Sequence, residues 1–188
     1  MEGPTTSSAA AAEAGAEAQL VDAARRGDRA AFTRLYERFG PVVHGVLLAR
    51  VRPADADDLV QETFLAAWRR LDSLREDGAF GAWVCAIARH KAATSRRGPD
   101  PAGSLPEDLC APGAAPGGAQ SAEHVLAAIR SLPEAYREPL LLRLVESLTG
   151  PQIAARTGLT PGSVRVNLHR GMAMLRERLA ASTREVHA

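Results

Sequence analysis

Apolar residues recur at helical spacing along this chain, and the interruptions between them mark where one helix ends and the next begins. Leu20, Ala23 and Ala24, then Ala31, Phe32, Leu35, Tyr36 and Phe39, give a helical pair broken at Gly27-Asp28, a helix end followed by a new cap. Val43, Val46, Leu47 and Leu48 continue the pattern up to Arg52-Pro53. Asp55 is then read as the cap of a helix with Asp57, Asp58, Gln61 and Glu62 in its early turns, where carboxylates complement the helix dipole. Leu59, Phe64, Leu65 and Trp68 supply its buried side. After a break at Asp77-Gly78, a helix over 80–97 carries Phe80, Trp83, Val84, Ile87 and Ala88. Further on, one helix covers 122–131, and Pro133 opens another holding Leu140, Leu141, Leu142, Leu144 and Val145. The fold class expected is all-α.

The stretch 149–179 contains two helix starts built the same way. Thr149 and Gln152 have the spacing of a capping box, flanked by Leu148 and Ile153 as a hydrophobic staple. Gly158 supplies a sharp turn, Thr160 caps again, and Pro161 takes the first helical position. On the second helix, Val164, Leu168, Leu175 and Leu179 form an inward stripe. Ser163, Val166 and Arg170 face outward, flanked by Arg165, Asn167 and His169. Such a face fits a recognition helix in the DNA major groove, with the preceding helix crossing the backbone. The competing reading is an ordinary amphipathic hairpin with a solvated face. Five arginines (Arg156, Arg165, Arg170, Arg176, Arg178) against one acid (Glu177) favour a phosphate partner.

Composition divides the chain. Residues 98–121 are mostly Pro, Gly, Ala and Ser, with Asp100, Glu107 and Asp108 as their only charges, and cannot bury enough surface to fold alone. They are expected to be a flexible tether that leaves two compact modules free to move independently. Residues 1–16 are mostly Ala, Ser, Thr and Glu without a basic start and apolar core, so they read as a disordered tail and not a signal peptide. Residues 184–188 are a short terminal tail. The net charge of +1 over 188 residues makes the basic character regional. Cys85 and Cys110 lie far apart without CxxC spacing, which argues against a disulfide framework or a zinc site and for a reducing, cytoplasmic setting. No apolar run approaches the roughly 20 residues of a membrane helix, so no membrane insertion is expected.

Two further faces carry candidate chemistry. Asp55, Asp57, Asp58 and Glu62 form an acidic patch. Asp58 and Glu62 could share a ligand, but no histidine or second acidic helix completes a metal set, so a docking surface is the better reading. On the 80–97 helix, Phe80 and Trp83 interleave with Arg89, His90, Lys91, Arg96 and Arg97. That suits an unpaired strand, with bases stacked on rings and cations along phosphates. Both rings could equally be core.

Six ordered phrases then converge on one family: GDRAAFTRLY at 27–36, DDLVQETFLAAW at 57–68, LDSLR at 71–75, FGAWVCAIARHK at 80–91, LPEAYREPLLLR at 132–143 and GLTPGSVRVNLHRGMAMLRERL at 158–179. Together they resemble the extracytoplasmic-function (ECF) sigma factors of bacterial RNA polymerase, of the sigma-70 family. The resemblance implies a sigma-2 domain at 17–97 and a sigma-4 domain at 122–183, with core polymerase (clamp coiled coil and flap region), promoter DNA and an anti-sigma factor as partners. By that similarity Asp57, Asp58, Gln61, Glu62 and Phe64 would dock on polymerase. Leu74, Trp83, Arg89, His90 and Lys91 would hold the melted −10 strand. Arg143, Ser163, Arg165, Val166, Asn167, His169 and Arg170 would read the −35 duplex.

The chain also departs from the family pattern. His90 stands where Asn commonly follows Ile-Ala-Arg, Leu74 replaces the common Phe, and Val166-Asn167 replaces a Ser-Arg pair. These are readout positions, so promoter specificity cannot be copied from a relative. The alternative function is a two-domain helix-turn-helix regulator that binds its operator without polymerase. An enzyme is not expected, since no nucleophile–base pair, Gly-rich phosphate loop or metal cluster is present, and no cofactor or metal is implied.

Overall fold

The Asp28 carboxylate accepts hydrogen bonds from the Ala30 and Ala31 N–H groups at 2.9 and 3.1 Å, and Gly27 precedes it with φ +92°. This corner joins the first two helices of a computed structural model that describes residues 6–95 and 122–186. Helix α1 is Thr6–Arg25, α2 Arg29–Leu48, α3 Pro53–Arg69 and α4 Phe80–Ser95, with single 3₁₀ turns at Leu71–Ser73 and Asp77–Ala79. After the undescribed stretch come α5 Ala122–Arg130, α6 Glu134–Leu144, α7 Gly150–Thr157 and α8 Pro161–Val186. Among the described residues there is no strand, in agreement with the all-α expectation.

Two boundaries differ from the sequence reading. Helix α1 starts at Thr6, within the segment expected to be a disordered tail. Alanine has the highest helix propensity, and the Ala-rich run also finds a partner, because Ala14 lies against Gly78 in the 3₁₀ turn before α4. Helix α3 starts at Pro53, with Arg52 at the cap position. Proline's fixed φ suits the first helical position, so Asp55 falls inside the first turn and pairs with Arg52 at 2.9 Å. Helix α2 runs through Pro41 as one element, as the continuing apolar pattern implies.

The N-terminal unit buries Val21, Leu35, Phe39, Val43, Val46, Leu47, Val60, Phe64, Phe80 and Val84. Phe32 joins three sides of it, edge-on to Trp68, Phe64 and Phe80 with centroids 4.7, 6.3 and 6.4 Å away. The C-terminal unit buries Ile129, Leu132, Leu140, Leu141, Leu142, Ile153, Val164 and Leu175.

These two sets form one continuous apolar cluster, with α2 packed on α6 and α4 on α7. Gly45 of α2 accepts Leu142 of α6, whose Cδ2 would stand 3.5 Å from an added Cβ. The two units that the sequence reading separates thus lie against each other in this structure. The proposed tether, 98–121, lies outside the described residues, and the units on either side of it share a packed face. Sequence periodicity marks which helix faces are apolar without saying which of them meet.

Cys85 is fully buried in this core, and burial pushes its thiol up to about 12. Thiolate is the reactive form, so Cys85 is expected to escape a maleimide reagent at pH 8 in the folded protein and to react once unfolded. Peptide mapping checks this, and labelling of Cys85 in the native chain would contradict the packing.

Candidate nucleic-acid and polymerase interface

The helical hairpin is built as its caps dictate. The Thr149 N–H donates to Gln152 Oε1 at 2.9 Å, which is the reach-back arm of a capping box. Gly158 ends α7 in the left-handed region, φ +74°, and Thr160 Oγ1 accepts the Ser163 N–H at 3.1 Å to start α8. Val164 and Leu175 are buried, Leu168 and Leu179 are half-buried, and Gly171 lets α8 approach Tyr136 and Leu140 of α6.

The opposite side of α8 exposes Ser163, Arg165, Val166, His169 and Arg170, with Val166 46% accessible. Arg143 of α6 is also exposed, donates to the Leu148 carbonyl at 3.0 Å, and shares a groove with Arg165, Leu168, His169, Met172 and Arg176. Asn167 departs from this set. It is half-buried and turns towards the cleft between the units, beside Arg50, Arg89 and Glu138.

On α3, Asp57, Asp58, Gln61 and Glu62 are all exposed, and Asp57 lies 3.5 Å from His44. Phe64 is not on that face. It is buried at 3% exposure, with its ring 4.7 Å from Tyr36, because its position on the helix turns it into the core. The apolar groups beside the acids are instead Leu65, 50% exposed, and Trp68, 37% exposed, both expected from sequence to be buried. Their spacing supplied the signal, since Asp58, Gln61, Leu65 and Trp68 recur three and four apart on one side of a helix.

The proposed −10 residues are scattered. Leu74 is buried, and its carbonyl accepts from Arg25, which also pairs with Asp77 at 2.5 Å. A side chain inside the core cannot meet a base without rearrangement. Trp83 is half-buried, 5.9 Å from Phe80. His90 is exposed, Lys91 pairs with Glu62 at 2.8 Å, and Arg89 is drawn to Glu138 of the other unit at 2.9 Å. Among the described residues no group of three or more histidine, cysteine or acidic side chains could hold a metal.

Comparison with known proteins decides what this arrangement is. Residues 35–99 match Sigma-70 region 2, and residues 122–175 match Sigma-70 region 4. The chain is 33% identical to the RNA polymerase sigma factor CarQ of Myxococcus xanthus, over 86% of its own length and 97% of that protein. It belongs to the sigma-70 family, as an ECF sigma factor. The ECF sigma factor SigD of Mycobacterium tuberculosis is 35% identical over 87% of this chain and 84% of the relative. Among solved structures, CnrH in complex with the cytosolic domain of CnrY superposes with a TM-score of 0.64 at 25% identity, over 88% of this chain and 98% of that one. The ECF sigma factor accordingly directs promoter-specific transcription, and the helix-turn-helix regulator acting without polymerase is set aside. No helix among the described residues is long and apolar enough to cross a membrane.

Proposed function

We propose that the exposed side of α3 docks this sigma factor on core polymerase, that α8 reads the −35 duplex, and that His90, Lys91 and Arg89 of α4 follow the melted −10 strand. The observation that carries the assignment is the outer side of α8. Ser163, Arg165, Val166, His169 and Arg170 stand together in solvent on its first three turns while Val164 and Leu175 anchor it from behind. That supplies hydrogen-bonding, cationic and methyl-contacting groups on one rigid helix, which is what reading base edges requires. On α3, acids surround the apolar pair Leu65 and Trp68, an apolar centre with a charged rim suited to a protein partner. The CnrH relative was solved with the cytosolic domain of CnrY, which supports a second protein partner for this chain too. Run-off transcription on a genomic promoter library tests the reading: transcripts requiring both this protein and core polymerase are expected, and operator binding without polymerase as its sole activity would overturn it.

Val166 and Arg170 should fail differently when replaced. Val166→Ser removes an apolar contact but no charge, so the preferred base at one −35 position changes while salt dependence stays the same. Arg170→Ala weakens binding by about 1–3 kcal/mol if Arg170 reads guanine, or lowers affinity uniformly across sequences if it holds phosphate. A randomised −35 library with core polymerase measures both, and an unaltered profile for Val166→Ser rejects its part in readout.

A further inference from the structure

Glu138 lies on α6 of the C-terminal unit, yet two arginines of the N-terminal unit hold its carboxylate. Arg50 reaches one oxygen at 2.7 Å, and Arg89 reaches the other with its terminal nitrogen at 2.9 Å and its Nε at 3.2 Å. The residue is 5% exposed. Guanidinium groups take a carboxylate and a phosphate in the same planar, charge-assisted manner, so this pair is already arranged as an anion-binding fork. Arg89 stands on the helix assigned above to the −10 strand, and Arg50 follows the end of α2 beside it. We propose that Arg50 and Arg89 form a phosphate-binding pair for the −10 strand, which Glu138 occupies as an internal competitor while the two units are closed on each other. The proposal rests on the promoter role assigned to α4.

The closure is reciprocal. Arg156 of α7 enters the N-terminal unit, its guanidinium 4.8 Å from the centre of the Phe39 ring and 3.8 Å from the buried Glu17 carboxylate. Arg89 donates as well to the Arg156 main-chain carbonyl, tying both halves of the latch together. Asn167, Thr157 and Leu159 line the same cleft, so Arg50 and Arg89 face residues of the C-terminal unit across it. A strand reaching these arginines must first displace Glu138, and its apparent affinity is lowered by the fraction of chains that remain closed. Polymerase that holds the units apart on two promoter elements would vacate the fork.

The test uses the full chain. Glu138→Gln keeps shape and removes the competing charge, whereas Arg156→Ala opens the closure from its other side without touching the fork. Each variant is measured by small-angle X-ray scattering and by anisotropy with a short fluorescein-labelled single-stranded DNA of randomised sequence. Both are expected to increase the radius of gyration and to tighten DNA binding about tenfold, as for a site that was about nine-tenths occupied. Adding Arg50→Ala to either should abolish the gain and make binding less salt-dependent. An enlarged chain that binds DNA no better overturns the proposal. So does a gain that survives Arg50→Ala, or an unchanged radius and affinity in both variants. Run-off transcription by the unaltered protein is scored separately: if it succeeds while the DNA result fails, only the fork is refuted.

Discussion

Replacing Phe39 by alanine is expected to destabilise the protein by about 3–5 kcal/mol, the range for emptying a large aromatic site in a packed core. Phe39 is 1% exposed, its ring lies 5.5 Å from that of Phe80, and its face receives the Arg156 guanidinium. The substitution thus removes three contributions together: burial, an aromatic contact, and a cation held over a ring. For a chain of this size that loss corresponds to a fall in Tm on the order of 10 °C. Thermal unfolding followed by circular dichroism measures it, and a fall of less than about 2 °C would show that Phe39 is not a keystone between the two units.

Reversing charge on α3 is the second large effect. Asp58→Lys with Glu62→Lys should weaken core polymerase binding by at least about a hundredfold, since like charges facing a partner cost several kcal/mol. Stability should hardly change. Both side chains are exposed, and the pair Glu62 makes with Lys91 is of the surface kind that contributes about 0–1 kcal/mol. Titration of labelled protein with core polymerase, alongside a melting curve, separates the two quantities. Unchanged affinity in a folded double variant would remove α3 from the docking surface.

Local chemistry explains why much of this was legible beforehand. The caps at Asp28 and Thr160, the turn at Gly158 and the inward positions Val164 and Leu175 are decided within a few residues of themselves, and the structure follows the sequence reading at each. Phe64 and Leu65 were harder. Both are apolar neighbours on one helix, and hydrophobicity alone does not separate them; the spacing that groups Leu65 with Asp58 and Gln61 does, and the packing of Phe64 on Tyr36 of α2 accords with it. Leu74 was transferred by family pattern, and its burial depends on packing that no motif encodes. The greatest gap was the joining of the units. Glu138 and its arginines stand 49 residues or more apart, and a pairing at that range leaves no periodic trace.

Gly81 limits how freely the two halves of this chain could be exchanged with those of relatives. An added Cβ there would collide with the Arg156 guanidinium and come 2.6 Å from Phe39 Cε1, while the Gly81 N–H donates to Glu17 at 2.8 Å. A foreign C-terminal half without an arginine at the place of Arg156 would leave Glu17 buried with its cationic partner gone. A foreign N-terminal half with any side chain at the place of Gly81 would turn that arginine away. Chimeras should therefore assemble only when glycine and arginine travel together, so the modular look of the chain conceals a matched pair across its seam.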